Sequence, residues 1–231
     1  LPKYQDELYD MTMSFNSMAD AMQNSEETRR GLIASVSHDL RTPMTTIAGF
    51  VDGILDGTIK PEKQEHYLRI ISDETKRLAR MANGMLSLSK LEASREVEKT
   101  LFDISELVRR IVIGFEQKLT EKKIEVELDI PEQQMIKAEH DSLFQAVYNL
   151  IDNAVKYSAE PVIDIKVSDK TENVTIEIKD NGCGISKEHL SHVFEKFYRV
   201  PTGDIHTVRG YGLGLYYAKQ VAELHKGTIS M

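Results

Sequence analysis

Hydrophobic residues recur along the first ninety residues in steps of three and four, the spacing of an amphipathic helix. The recurrence is interrupted at residues 56–61 (DGTIKP), where glycine and proline break a helix. We therefore predict two long helices joined by a short turn, forming a hairpin. The apolar positions form three seams: Leu8, Met11, Phe15, Met18 and Met22; Ile33, Val36, Leu40, Met44, Ile47, Val51 and Ile54; and Leu68, Ile71, Leu78, Met81, Met85 and Leu88.

The apolar stripes of this hairpin are wider than one partner helix can cover. Two copies packed as a four-helix bundle would bury both stripes, so the pattern predicts a homodimer. The first seam has coiled-coil spacing, and Ile33 follows Met22 by eleven residues, seven plus four. Such a stutter locally unwinds a coiled coil.

The pattern changes after about residue 95, where short alternating segments predict strands between amphipathic helices. We expect a mixed α/β sandwich with its helices against an antiparallel-rich sheet. The predicted strands are 101–104, 124–128, 162–167 and 174–179, and the predicted helices are 105–121, 143–157 and one starting near 212.

Composition narrows the classes of protein to consider. The 231 residues, 41% hydrophobic and 29% charged, suit a globular chain of one large or two ordinary domains. A net charge of -8 argues against binding to nucleic acid, and the single cysteine, Cys183, excludes an internal disulfide. No apolar run reaches the roughly 20 residues that span a bilayer. Because the chain begins at Leu1 rather than methionine, we expect it to be a piece of a longer protein.

One of the seven histidines stands out by its setting in residues 35–43 (SVSHDLRTP). His38 is followed by the carboxylate Asp39, and Thr42 lies on the same helix face four residues later. Pro43 removes a backbone donor, so we expect the helix to bend there. Alone, such a histidine is better explained as a packing or capping residue, and the downstream motifs decide between the two interpretations.

The first downstream motif lies on the helix predicted over 143–157. Asn149, Asn153 and Lys156 are spaced by four and three residues, which places them on one helix face. Amide oxygens beside an ammonium group suit a magnesium-bound polyphosphate, because Mg²⁺ prefers oxygen ligands and keeps several waters. Taken alone, this motif is better explained as a polar face turned to solvent.

Two glycine motifs follow, residues 180–185 (DNGCGI) after a strand and residues 210–215 (GYGLGL) before a helix. In the first, Asp180 can accept a hydrogen bond from an exocyclic amine such as that of adenine. The second opens a helix whose free N–H groups can bind an anion. It lacks the context of a Rossmann motif or a P-loop. We expect the following residues to contact the nucleotide through their backbone: Gly182, Gly184, Gly210, Gly212, Leu213 and Gly214.

Taken together and in this order, the motifs resemble those of sensor histidine kinases of two-component systems. The segment around His38 resembles the phospho-acceptor box, and the asparagine and glycine motifs resemble the ATP-binding boxes shared with gyrase-type and Hsp90-type ATPases. Residues 194–199 (FEKFYR) resemble the phenylalanine box that precedes the ATP lid. The resemblance covers nearly the whole chain from about residue 30.

The resemblance implies a role for each residue of the acceptor segment. His38 would attack the γ-phosphate of ATP, and Asp39 would hold the other ring nitrogen and accept its proton. Thr42 would position water when the enzyme dephosphorylates its partner. Arg199 would stabilise charge at the γ-phosphate.

For the nucleotide the resemblance implies ATP with Mg²⁺ as its cofactor. Asn153 would be the main Mg²⁺ ligand, with Asn149 and Lys156 supporting the phosphates. Asp180 would recognise the adenine amino group, and Tyr157 would lie against the base.

The resemblance also implies an order of domains. Residues 1–28 would be the end of a HAMP linker, residues 29–95 the dimerisation and phospho-acceptor domain, and residues 96–231 an ATP-binding domain that we expect to be trimmed at its C-terminal end. The chain would be the cytoplasmic portion of a protein held in the inner or plasma membrane. Its partners would be a second copy and the receiver domain of a response regulator.

Two other functions fit part of the pattern. A gyrase-type or Hsp90-type ATPase would hydrolyse ATP without forming phosphohistidine, but that group carries a glutamate base where this chain has Asn149. A non-catalytic dimeric relay would have a degenerate nucleotide site, whereas Asn153 and Asp180 are intact. Outside the motifs, we interpret His189 and His192 as exposed, and Lys118, Lys122 and Lys123 as a solvated charge run.

Overall fold

The computed structural model describes residues 3–93, 97–170, 173–200 and 212–231. The chain divides into two compact units, Leu1–Arg80 and Met81–Met231. The described part of the first unit is entirely helical, whereas the second combines helices with two small sheets.

The predicted hairpin is present in the first unit. Helix α1 (Lys3–Leu55) is followed by a five-residue turn and by helix α2 (Pro61–Ala93), which continues into the second unit. In the turn the Asp56 carboxylate accepts a hydrogen bond from the Thr58 N–H at 2.8 Å, and this bond lowers the pKa of Asp56. Gly57 has a φ of +79°, a conformation that costs glycine little.

The two helices of the hairpin meet through aromatic and buried side chains. The rings of Phe50 and Tyr67 lie 4.8 Å apart between centroids. Glu74 is only 6% exposed and forms an ion pair with Arg77, one turn further along α2. Helix α1 continues through Pro43, whose side chain is buried, and the bend expected there stays a prediction.

The apolar stripes of the hairpin are only partly covered in the single chain, and the first seam is wholly exposed. Their exposed members lie between 37 and 79% accessible, far above the level of a core residue. They come from all three seams, together with Leu55, which follows the second seam: Leu8, Met11, Phe15, Met18, Met22, Met44, Val51, Leu55 and Leu68.

The described part of the second unit contains five strands in two sheets. Strands β1 and β3 form an antiparallel pair, while β4 is the central strand of the other sheet, parallel to β2 and antiparallel to β5. The sequence pattern missed β3, because its residues 135–138 (MIKA) do not alternate between apolar and polar. The strands are β1 (Thr100–Asp103), β2 (Glu125–Asp129), β3 (Met135–Ala138), β4 (Ser158–Lys170) and β5 (Asn173–Gly182).

The predicted helix over 105–121 is wrong, because the segment forms two helices that meet at Phe115. The Phe115 side chain is buried, and its N–H bonds to the Val112 carbonyl at 2.9 Å, a tightened last turn after Gly114. The short α6 was also not predicted. The helices of this unit are α3 (Ile104–Gly114), α4 (Glu116–Lys122), α5 (His140–Tyr157), α6 (Lys187–Leu190) and α7 (Gly214–Leu224).

The main core of the second unit lies between helices α3 and α5 and strand β4. Alternate residues of β4 are buried, with Ile163 at 0% and Ile165 at 1% exposure, as expected for one covered sheet face. Asp103 caps α3 by accepting the Ser105 N–H at 2.9 Å. The fold class is thus confirmed as a helical region followed by an α/β domain. No helix in the described part of the chain has the length and apolarity to cross a bilayer.

Candidate functional site

Helix α5 presents the predicted amide face. Its start is fixed by Glu139, whose carboxylate accepts hydrogen bonds from the N–H groups of Asp141 and Ser142. Asn149 and Asn153 are both half-buried, and the Gln145 side chain donates to Asn149 Oδ1 at 2.9 Å. This bond occupies an acceptor of Asn149, and Asn153 lies one turn further along α5.

The first turn of α7 lies directly against this face. A methyl group in place of the Gly214 hydrogen would lie 3.5 Å from Asn149 Cβ and 3.8 Å from Asn153 Nδ2. The fold therefore brings the start of the glycine-rich helix to the asparagines, although more than 60 residues separate them in the chain. The free N–H groups of that turn are groups that can bind an anion.

The first glycine motif, residues 180–185, lies at the end of α5. The Asp180 carboxylate accepts a hydrogen bond from the Gly182 N–H at 2.9 Å. Any side chain at Gly182 would clash, since its Cβ would lie 2.4 Å from the Tyr157 carbonyl oxygen. Glycine is therefore required here by the close approach of two backbones, and Asp180 and Tyr157 become neighbours in space.

Arg199 and Tyr157 share one electrostatic environment. Burial raises the pKa of the Tyr157 phenol, and the nearby Arg199 guanidinium lowers it in part. Both groups therefore lie at the same end of α5, where the carboxylate of Asp180 also lies. Tyr157 remains 38% exposed, so part of the residue is accessible to a ligand.

Gly212 directly follows the segment 201–211. This segment, which includes the predicted Gly210, lies outside the described residues. The Phe197 N–H donates to the Gly212 carbonyl at 2.9 Å, so residues on either side of the segment are held together. A Cβ at Gly212 would lie 2.6 Å from the Tyr198 carbonyl oxygen, and its φ is +65°. Gly184 has a φ of +67° in open space.

The lysines near α5 bond to oxygens of that helix. Lys156, predicted to support the phosphates, forms an ion pair with Asp152, which also pairs with Lys118 at 3.3 Å. Lys122 donates to the Val155 carbonyl at 2.6 Å. Lys118, Lys122 and Lys123 are all exposed, as interpreted from the sequence, although Lys118 and Lys122 also bond to α5. A phosphate role for Lys156 stays a prediction and would require it to exchange its partner.

Leu213 has a different environment from its glycine neighbours. Its side chain is buried in a second apolar cluster, where it packs with Leu88 and Leu91 of α2 and with Tyr217 of α7. Gly84 leaves room for it, with 3.9 Å between Leu213 Cδ1 and a Cβ at that position. Only the backbone of Leu213 is therefore left for the predicted nucleotide contact.

A polar contact completes the docking of the α2 end. The Glu92 carboxylate accepts hydrogen bonds from Lys196 Nζ at 2.8 and 3.0 Å and from the Tyr216 hydroxyl at 3.0 Å. Burial and this carboxylate raise the pKa of Tyr216 to about 12. These contacts explain why the C-terminal part of α2, from Met81, belongs to the second compact unit. The sequence missed them, since the partners are more than 100 residues apart.

His225 is a further residue that sequence reasoning missed. Its Nε2 accepts a hydrogen bond from the Glu139 N–H at 3.0 Å, and its Nδ1 lies 2.8 Å from the Val221 carbonyl. These two partners require a neutral ring with the proton on Nδ1. The imidazole therefore ties the start of α5 to the end of α7, the two helices that form the asparagine and glycine faces.

The acceptor segment lies in the first unit. The backbone of His38 belongs to α1, and its side chain is outside the described part. Asp39 is half-buried, and the exposed Thr42 accepts a hydrogen bond from Thr46 Oγ1 at its carbonyl, at 3.1 Å. The roles of these residues stay predictions.

Family models match the two parts of the chain in the predicted order. Residues 28–94 match the His Kinase A (phospho-acceptor) domain, and residues 138–231 match the histidine kinase-, DNA gyrase B- and HSP90-like ATPases. The second match identifies an ATP-binding domain, and it covers the asparagine face and both glycine motifs.

Curated relatives and solved structures agree with these matches. The sensor histidine kinase YclK of Bacillus subtilis is 31% identical over 99% of this chain and 50% of its own length. The sensor protein SrrB of Staphylococcus aureus is 33% identical over 90% of this chain and 36% of its own length. The chain thus spans half or less of these relatives.

Among solved structures, the Acinetobacter baumannii histidine kinase AdeS aligns with a TM-score of 0.67 and 28% identity, over 84% of this chain and 89% of that one. Histidine kinase ThkA, in complex with response regulator protein TrrA, aligns with a TM-score of 0.68 and 25% identity, over 85% of this chain and 55% of that one. With a phospho-acceptor domain followed by an ATPase domain, the chain belongs to the sensor histidine kinases of two-component systems.

Proposed function

We propose that the protein is an ATP-dependent protein-histidine kinase that phosphorylates its own His38 and passes the phosphoryl group to an aspartate of a response regulator. The observation that carries this proposal is the convergence of Asn149 and Asn153 with Gly214 in the second unit. A nucleotide site built in this way supplies the phosphoryl donor that His38 needs.

Each side of the site suits one part of the nucleotide. Asp180 accepts a hydrogen bond from the adenine amino group, and the half-exposed ring of Tyr157 lies against the base. The phosphates reach the start of α7, where free N–H groups favour negative charge. Arg199 stabilises the charge that develops at the γ-phosphate.

The residues present fit a magnesium ion that arrives with the nucleotide. No group of three or more His, Cys, Asp or Glu side chains is placed to hold a metal ion in the described part of the chain. Asn153 offers one amide oxygen, which suits an ion that is held mainly by phosphates and water. When bound, Mg²⁺ neutralises phosphate charge during transfer.

Transfer to His38 is a substitution at phosphorus. One imidazole nitrogen forms a bond to the γ-phosphorus while the bond to the β,γ-bridging oxygen breaks, and ADP leaves with that electron pair. Asp39 accepts the proton from the other ring nitrogen. When the enzyme acts instead as a phosphatase, Thr42 positions the water that hydrolyses the phospho-aspartate of the regulator.

The partners follow from the same proposal. A second copy covers the apolar stripes of α1 and α2 and completes a four-helix bundle. ThkA is similar to this chain and has been solved with its response regulator protein, which supports a receiver domain as the acceptor. The N-terminal residues 1–28, as the end of a HAMP linker, would connect the chain to a membrane-held sensor.

The test is the chemistry of the phosphorylated bond. Incubation with ATP labelled at the γ-phosphate should give label on the protein that is lost in acid and stable in base, and His38→Gln should carry none. His66→Gln is the matched control, since His66 is an exposed histidine on α2, and it should label normally. Label that persists in His38→Gln would contradict the role of His38. ATP hydrolysis with no label at all would contradict the proposal and favour the gyrase-type alternative.

A further inference from the structure

The side chain of Tyr198 is held between two histidines beside the nucleotide site. Its hydroxyl lies 2.6 Å from His189 Nδ1, a hydrogen bond, and its ring centroid lies 5.4 Å from that of His192. His189 is only 22% exposed at its side chain, whereas His192 is more exposed and bonds to Glu195 on the surface. The expectation that both histidines are exposed was therefore wrong for His189.

The backbone that carries Tyr198 has little freedom. Phe197 has a φ of +67°, a conformation that is strained for an aromatic residue. Its N–H bonds to the Gly212 carbonyl, and the Tyr198 carbonyl lies so close to Gly212 that no side chain fits there. Such strain persists only where surrounding contacts hold it, and the hydroxyl bond to His189 is one of those contacts.

His189 is itself well anchored. Its carbonyl accepts the N–H groups of His192 and Val193 at 2.9 and 3.1 Å, and the Val193 side chain is buried. Helix α6, which carries His189, begins three residues after Gly184 of the first glycine motif. The imidazole therefore links the adenine side of the site to the base of the segment 201–211.

Tyr198 stands between two groups that the proposed function uses. Arg199 follows it in the chain and acts electrostatically on Tyr157. Gly212 lies against its backbone and precedes Gly214, which contacts the two asparagines. A displacement of Tyr198 would move both groups together.

We propose that His189 is a positioning residue for nucleotide binding. Its hydrogen bond to the Tyr198 hydroxyl holds residues 197–199 against Gly212. Arg199 and the start of α7 are thereby kept in position to bind the phosphates. This inference rests on the proposed function, and it adds a residue that none of the motifs contains.

The experiment compares nucleotide affinity in the full chain with its thermal stability. The dissociation constant of a non-hydrolysable ATP analogue with Mg²⁺ is measured by calorimetry for His189→Ala, Tyr198→Phe, their double variant and His189→Asn. The Asn amide can occupy the place of Nδ1. His192→Asn is the matched control, because His192 contacts the same ring without bonding to its hydroxyl.

We expect His189→Ala and Tyr198→Phe each to weaken binding about fivefold to tenfold, the effect of one hydrogen bond. The double variant should be no weaker than either, and His189→Asn should recover most of the loss. A merely structural role predicts a lower thermal midpoint of the unliganded chain with unchanged affinity, and that result would overturn the inference. Additive losses in the double variant, or a similar loss in His192→Asn, would also overturn it.

The two proposals fail in different ways. Normal nucleotide binding without phosphohistidine contradicts the proposed function and leaves the role of His189 standing. Normal labelling of His38 with wild-type affinity in His189→Ala contradicts the role of His189 alone. A wild-type chain that binds no nucleotide contradicts both.

Discussion

The two compact units both consist of amphipathic elements, but they cover their apolar faces differently. In the second unit, helices α3 and α5 bury their stripes against β4, and Ile163 has no exposure at all. In the first unit, large apolar residues such as Met22 and Leu55 are more than three-quarters exposed. The pattern of hydrophobic residues is similar in both, so the difference lies in how much partner surface one chain provides.

Amphipathicity thus predicts a buried face without saying which molecule buries it. The second unit has a core of its own, whereas the first requires cover from a second copy, as we propose. Stability should therefore depend on protein concentration in the first unit and not in the second.

The largest effect is expected from a cavity in the second unit. Ile163→Ala removes a fully buried side chain from the central strand and should lower the free energy of unfolding by about 2–5 kcal/mol. Urea denaturation followed by circular dichroism, at two well-separated protein concentrations, measures it. Thr175→Ala, on the exposed face of β5, is the control and should change stability by less than about 0.5 kcal/mol. A loss that grows on dilution would contradict the self-contained core.

The next effect concerns the uncovered stripes. Val51→Asp combined with Leu68→Asp places two charges on faces that a second copy would bury, and should weaken dimerisation by at least about 100-fold. Sedimentation equilibrium measures this change. Lys63→Glu, exposed in the first turn of α2, should leave the dimer intact. If the double variant remains as dimeric as wild type, these stripes are not the interface.

A smaller effect is expected where α5 and α7 are joined. His225→Ala leaves the Glu139 N–H without its imidazole acceptor, which should cost about 1–3 kcal/mol of unfolding free energy in the second unit. Glu223→Ala, exposed on the last turn of α7, should cost less than about 0.5 kcal/mol. Equal losses in both variants would show that helix propensity, and not the imidazole bridge, is responsible.

The smallest effect lies at the end of α2, and it depends on pH. The pKa of Tyr216 is raised to about 12 by burial and by Glu92, so the folded chain favours the neutral phenol. Its contribution to stability is full below the ordinary tyrosine pKa of about 10 and is lost as pH rises toward the folded value. Raising the pH through this window should therefore lower the thermal midpoint of wild type more than that of Tyr216→Phe.

The matched variant for that titration is Glu92→Gln, which keeps the shape of the side chain and removes its charge. It should bring the pKa of Tyr216 part of the way back and cost less than about 1 kcal/mol at neutral pH, because the contact is partly exposed. Identical alkaline behaviour of wild type and Tyr216→Phe would show that the Tyr216 phenol is not held by this contact.

The sequence could predict what depends on local spacing. Steps of three and four placed Asn149 and Asn153 on one helix face. The glycine motifs indicated Gly182 and Gly212, the two positions where backbones approach each other closely. The hairpin and the α/β order also followed from periodicity. Contacts between distant segments could not be predicted, since no local pattern encodes them. Examples are the burial of Leu213 beside α2 and the hydrogen bond of His189.

Charged side chains were the least predictable. Lys122 and Lys156 look alike in the sequence, yet one caps the carbonyls at the end of α5 and the other pairs with Asp152 on its own helix. A long flexible lysine takes whichever oxygen the tertiary fold places within reach. Its partner can therefore be read only from the folded chain.

The bond between Phe197 and Gly212 has a consequence for the evolution of the chain. Because this bond already holds the two ends of the segment 201–211 together, the entropic cost of closing a longer chain between them grows by only about 0.6 kcal/mol for each doubling of its length. Insertions and deletions there should be tolerated far better than a single methyl group at Gly212. Selection can thus vary this segment among relatives while the two residues at its base stay constrained.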